Sequence, residues 1–271
     1  MITHNPGRST KMLASLFALT LTLSSAAQAG APFLKLDEAA DATTKQSFAG
    51  VFDFDTDSCL PSPGVSSTGL KNGGLYPING VTSKCRESAQ LGNSNTYYRR
   101  LCVDNTHCVH MSALYFLKDQ IAAGPGAHRH DWEFGLVWTT NGVITDASYS
   151  HHGDVTTESV KGLDAYQNGR VRFVYHKDGG LSHAMRFAKK DEKPENSTGM
   201  WFTPTIVDWY LMKGTGAGND NAGLRKKING FDYDQANCSF DDGNFIKEIQ
   251  KSIPANYPAK QAWVDAYKAH Q

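Results

Sequence analysis

The chain of 271 residues has no excess of charge of either sign, with 27 Lys and Arg against 27 Asp and Glu. It therefore lacks the basic surplus that bulk nucleic-acid binding requires. It also lacks a second long apolar run. The single one, Met12 to Leu23, follows Arg8 and Lys11, precedes Ala27-Gln28-Ala29, and is too short to span a bilayer. That anatomy predicts a signal peptide over residues 1–29 and a secreted, extracellular product. Taking away Arg8 and Lys11 leaves 25 basic residues against 27 acidic ones. No internal repeat or low-complexity linker interrupts residues 30–271, and about 240 residues can bury one core as one domain. H-E-x-x-H, H-x-H-x-D-H and G-x-S-x-G are missing too, which argues against the familiar hydrolases, though not against every metal-dependent one.

Cysteine is scarce, and none of the five is in a C-x-x-C. In an oxidising compartment pairing is favoured over thiolate metal sites. The early clustering suggests Cys59 with Cys85 and Cys102 with Cys108, leaving Cys238 over, although four cysteines allow three pairings. Two sequons, at Asn196 and Asn237, could carry glycans in a eukaryotic secretory route.

What is present between residues 80 and 190 is strand-like. "HCVHMSALYFLK", "DWEFGLVWTT", "GVITDASYS", "RVRFVYH" and "SHAMRFA" are β-branched or aromatic and separated by turn residues. "TTNGV" and "HKDGGLS" read as hairpin turns, the first through Asn141-Gly142. This spacing predicts a mainly β fold, an antiparallel β-sandwich with peripheral helices. Those helices are expected in "FLKLDEAADA", in "DDGNFIKEIQKSI" with Asp241 and Asp242 as capping residues, and in "YPAKQAWVDAYKAH".

The chemistry is concentrated in "GPGAHRHDWEF", residues 124–134. On a strand, Asp131 and Glu133 share one face, and His130 and Trp132 share the other. Two neighbouring carboxylates repel unless a cation or an arginine stands between them. With Asp119 folded back by the Gly-Pro-Gly loop towards His128, the set Asp119, His128, Asp131 and Glu133 suits calcium, magnesium or manganese better than zinc. The alternative is an ion-pair network built on Arg129, with Trp132 in the core. His152 could approach the rim, whereas His107, His110, His176 and His183 read as core or surface histidines.

The heptad Ala127-His128-Arg129-His130-Asp131-Trp132-Glu133 resembles the G-H-R-H-D-W-E signature of the necrosis- and ethylene-inducing peptide-like family of secreted microbial cytolysins, with alanine at the glycine. "ALYFLKD", "VYHKDGG", "HAMRFA" and "ANCSFDDGNF" are similar to family segments in the same order, from about Phe52 to Ile253. The resemblance implies a sandwich shaped like the actinoporins of sea anemones and some fungal lectins. It implies a divalent ion held by Asp119, His128, Asp131 and Glu133; Arg129, His130, His152, Lys177 and Asp178 are further candidates for rim or ligand contact, although His130, like Trp132, is on the face expected to join the core. It also implies disulfides Cys59–Cys85 and Cys102–Cys108. The partner so implied is the sugar head group of a glycosyl inositol phosphorylceramide-type sphingolipid on a host membrane, which is then lysed without bond cleavage.

Two departures bear on that expectation. The turn from His176 to Gly180 has no tryptophan, and none stands between Trp138 and Trp201, so the interfacial anchor of the cytolytic members is missing. A glycan-binding protein that does not lyse is thus the second reading, and a metal-dependent hydrolase the third. Ala127 would also be costly if its position demanded positive φ.

Overall fold

All but the first residue of the heptad opens a long strand, His128–Thr140, which pairs along almost its whole length with His107–Asp119. A computed structural model describes residues 1–2, 33–41, 48–78, 80–121, 126–180 and 182–270. The expected signal peptide lies outside these residues beyond Met1 and Ile2. The chain divides into the units Met1–Pro32 and Phe33–Gln271, and every feature described belongs to the second.

The strands are β1 (Val51–Phe54), β2 (Asn95–Cys102), β3 (His107–Asp119), β4 (His128–Thr140), β5 (Val143–His151), β6 (Asp154–Ser159), β7 (Tyr166–Gln167), β8 (Arg170–Asp178), β9 (Ser182–Phe187) and β10 (Thr205–Asp208). The helices are α1 (Asn221–Asn229), α2 (Phe245–Ser252) and α3 (Lys260–Ala269). One sheet runs β10-β2-β3-β4-β5-β6, and in the other β8 pairs with β1, β7 and β9. The expected hairpins are present. Asn141 and Gly142 take φ of 52° and 73° between β4 and β5, and Gly179 takes 63° between β8 and β9.

The two faces of β4 go to different cores. Trp132, Phe134, Leu136 and Trp138 join Leu224, Phe245 and Trp263 under the helices, whereas Val137 packs with Phe116, Phe173 and Tyr175 between the sheets. Each such buried side chain contributes about 1.5–3 kcal/mol. Gly135 permits the sheets to close, since a Cβ there would stand 2.6 Å from the Phe173 ring. Asp131 and Glu133 follow the same alternation, at the end of the sandwich beyond that contact.

Several details differ from the sequence reading. β1 runs parallel to β8, and β10 runs parallel to β2, so each sheet mixes directions. The segment read as a helix near residue 33 is extended. Asn95 exchanges hydrogen bonds with the Leu36 backbone, and Ala39 N donates to Ile206 O, so tertiary pairing overrides the apolar spacing. α1 was not anticipated, although Asp220 caps it by accepting from Gly223 N at 2.8 Å. Asp241 accepts from Asn244 N just before α2, but Asp242 binds buried Arg99 at 2.6 Å instead of capping. Among the described residues no helix is long and apolar enough to cross a membrane.

Cys59–Cys85 and Cys102–Cys108 are bonded, and Cys238 is free and buried. The Asn196 amide nitrogen, which a glycan would occupy, donates to Asp53 and to Met200 O, both at 2.9 Å. Asn237 is exposed.

Asp55, just past β1, yields a pH prediction. Burial, only partly offset by Arg186 at 3.7 Å, raises its carboxyl from 3.8 to about 6. An acid raised in this way holds its proton more tightly in the folded state than in the unfolded one. Stability is therefore lost as pH climbs from about 4 to about 6, and stays lost above that. Asp55→Asn is expected to be more stable than the parent by about 1–2 kcal/mol at pH 7 and equal to it near pH 3.5. Urea denaturation at the two pH values checks this, and an unchanged difference between them contradicts it.

Candidate functional site

Asp119 and His128 face each other as the last cross-strand pair of β3 and β4. With Asp131 and Glu133 they line a cavity of about 360 Å³. Strict alternation would send His128 and Asp131 to opposite faces. His130 breaks it by taking φ of 63°, so that both line the same cavity.

Each donor is oriented by a neighbour. His128 Nδ1 lies 2.7 Å from the carbonyl of His130, so it carries the proton, and Nε2 is left towards Asp119 Oδ2 at 3.8 Å. Tyr175 donates its hydroxyl to Asp131 Oδ2 at 2.7 Å, and Ser150 donates to Glu133 Oε2. Asp119 Oδ1 accepts from both His183 N and His183 Nδ1, each at 2.8 Å. The other ring nitrogen of His183 faces the Asp57 carbonyl at 3.0 Å. Both nitrogens of that ring thus face acceptors, an arrangement that favours the protonated ring. Burial opposes the charge, but the bond to Asp119 outweighs it and raises the pKa.

The carboxylates are short of positive charge. Burial, with the Asp119 charge adding to it, pushes Asp131 up to about 7. Burial, then Asp131, pushes Glu133 well above the usual range. Among the described residues no lysine or arginine forms an ion pair with either. Arg129, the residue that an ion-pair network would need, pairs with Asp234 at 2.5 Å and stands over the Tyr76 ring. This donor set, carboxylate oxygens with one imidazole nitrogen, fits a hard dication. As they stand, no three His, Cys, Asp or Glu side chains among the described residues are gathered closely enough to hold an ion. Their oxygens are turned to Tyr175, Ser150 and His183.

Of the other expected positions, His152 lines the cavity mouth. It joins two turns there, through Asp178 Oδ2 at 2.9 Å and Ser182 Oγ at 3.1 Å. Lys177 is exposed and does not line the cavity. Arg129 lies away from it, and His130 is fully buried with its Nδ1 2.5 Å from the Tyr115 hydroxyl. Neither is at the rim, because the turned backbone at His130 directs both away. Positive φ falls at Gly126 and His130, not at Ala127, so the alanine carries no such cost. His183, read as a default histidine, is the group that orients Asp119. Ser150 and Tyr175 were missed as well.

The site lies in a two-sheet β-sandwich flanked by helices, beside a cavity lined by several carboxylates. The chain belongs to the necrosis inducing protein (NPP1) family, whose sequence profile matches residues 42–252. It is 28% identical over 204 residues to NLP effector protein 7 of Phytophthora capsici, covering 73% of this chain but only 58% of that protein. Among solved structures it is similar to non-toxic HaNLP3, with a TM-score of 0.68, 24% identity, and coverage of 83% of this chain and 99% of that one. It is also similar to NLPPya in complex with mannosamine and with glucosamine, with a TM-score of 0.65, 23% identity, and coverage of 82% and 96%.

Proposed function

We propose that the protein is a secreted effector that recognises a sugar head group on a host membrane sphingolipid, of the glycosyl inositol phosphorylceramide type, and perturbs that membrane. Asp119, His128, Asp131 and Glu133 would hold a calcium, magnesium or manganese ion. When bound, such an ion supplies coordination to sugar hydroxyls. His183 fixes Asp119, His128 presents Nε2, and the His152–Asp178 contact shapes the mouth through which a head group would enter. The observation that carries the reading is the set of buried carboxylates with no lysine or arginine, among the described residues, paired to Asp131 or Glu133. The amino-sugar complexes of NLPPya support the ligand class.

Dye release from vesicles bearing the head group tests it. The expected result is release with millimolar calcium or magnesium and none with chelator. Neither binding nor release in the presence of the ions overturns it.

The second reading, glycan binding without lysis, is favoured by one observation. Trp132, Trp138, Trp209 and Trp263 are buried and Trp201 is partly buried, so no fully exposed tryptophan offers an interfacial anchor. Head-group binding with intact vesicles would select it.

A further inference from the structure

Large apolar side chains left exposed are few among the described residues. Beyond Met1 and Ile2, only Tyr76 with Ile78 and Tyr210 with Leu211 stand close together in sequence. The two pairs lie at opposite ends of β3. Tyr210 and Leu211 line a cavity with Leu101 and Cys102, and Cys102 pairs with Cys108 near the start of that strand. The segment of Tyr76 is fastened at its finish. Leu75 N donates to Leu117 O at 2.7 Å, and Lys118 Nζ donates to Gly80 O at 2.9 Å. The Tyr76 ring lies 4.9 Å from the guanidinium of Arg129, which pairs with Lys118 in the register step next to Asp119 and His128. Cys108 and Asp119 stand near opposite ends of this 13-residue strand, roughly 35 Å apart. Tyr76 and Ile78 are therefore at the end of the sheet that carries the proposed ion ligands, and outside the lining of their cavity.

The segment is pinned at its other end as well. Cys85 is bonded to Cys59, and Leu60 N donates to Cys85 O at 2.8 Å. Between the tethers, Leu75, Tyr76, Ile78, Ser83 and Lys84 line a cleft of about 160 Å³. Tyr76 is 67% exposed and Ile78 62%. A single exposed apolar side chain needs no explanation. A tyrosine and an isoleucine held outward with a lysine beside them have the composition of an interfacial anchor: the amphipathic ring sits at head-group level and the aliphatic chain reaches the acyl boundary. Lys84 is exposed and forms no ion pair among the described residues.

We propose that Tyr76, Ile78 and Lys84 form a membrane-contact patch, which rests on the lipid bilayer while the cavity at the same end holds the head-group sugar. The inference rests on the sphingolipid reading above and supplies, from a different loop, the anchor that no tryptophan offers. Such a sugar reaches its ceramide through a phosphodiester, so the surface beside the sugar site must meet phosphate and then hydrocarbon. Lys84 matches the first and the Tyr76–Ile78 pair the second.

Flotation of the whole protein with phosphatidylcholine vesicles carrying the sphingolipid, in magnesium, tests it beside calorimetric titration with free glucosamine. Joint Tyr76→Ser and Ile78→Ser substitution is expected to weaken vesicle binding about tenfold and leave glucosamine affinity unchanged. Melting should stay within about 3 °C of the parent, since both side chains are exposed. Lys84→Gln should weaken vesicle binding about fivefold at low salt and less in about 0.5 M salt. Leu211→Ser, at the far end of the sheet, should change neither measurement. Vesicle binding by the doubly substituted protein equal to the parent's, or an equal weakening by Leu211→Ser, overturns the patch while the sugar site stands. A matching loss of glucosamine affinity overturns it too, because the residues would then belong to the sugar site. A change of oligomeric state with vesicle binding intact makes the patch a self-association face, which also overturns it. If the parent binds neither vesicles nor glucosamine, the function proposed above falls and the patch with it.

Discussion

Asp131→Asn is expected to lower calcium and magnesium affinity by at least about 100-fold and to abolish any rise in melting temperature on adding the ions. The amide keeps the side-chain shape and still accepts from the Tyr175 hydroxyl, now at 2.7 Å. It removes a buried charge that stands with Asp119 and Glu133 in one cavity. In chelator the variant should therefore be more stable than the parent, by about 1–2 kcal/mol. Opposite signs with and without the ion are characteristic of a carboxylate kept for binding at the expense of stability. Thermal melts of both proteins in chelator and in 5 mM magnesium, about a saturating level for a weak extracellular site, decide the matter. An ion-dependent shift that survives in the variant removes Asp131 from the ligand set.

Arg99→Ala should cost about 3–5 kcal/mol, equivalent to a fall in melting temperature of about 10 °C. Arg99 is fully buried. Its guanidinium donates to Phe240 O at 2.9 Å and to Asp242 at 2.6 Å, and lies 4.5 and 4.4 Å from the Trp209 and Phe245 rings. It thereby fastens β2 to the start of α2 and, through Asp242 and Tyr267, to α3. Alanine leaves a void among four aromatic rings and takes the buried partner from the Phe240 carbonyl. Guanidinium chloride denaturation measures the loss, and a change below about 1 kcal/mol would show that the helices pack without this anchor.

β3, β4, β5, β8 and β9 were legible because their alternation and turns are local, whereas β6 and β7, between them, were not read. Asn141-Gly142 dictates its hairpin whatever surrounds it. β1 and β10 were not, since each is four residues long and forms only by pairing with a strand more than 100 residues away. The carboxylate pair could be placed on one face from spacing, and Asp119 from a single loop. His183 could not be assigned, because its contact with Asp119 joins residues 64 positions apart. The fate of Arg129 depended on Asp234, 105 positions away, which no local pattern reveals.

The parallel pairing of β1 with β8, and the bridge from Ala39 to Val207, set when this chain can fold. β1 has no partner until synthesis has passed residue 175, and Ala39 none until it has passed residue 207. Topologies of such high contact order close in milliseconds to seconds, not microseconds. The polypeptide thus emerges from the ribosome with both sheets incomplete, and neither can close until its late strand has been made.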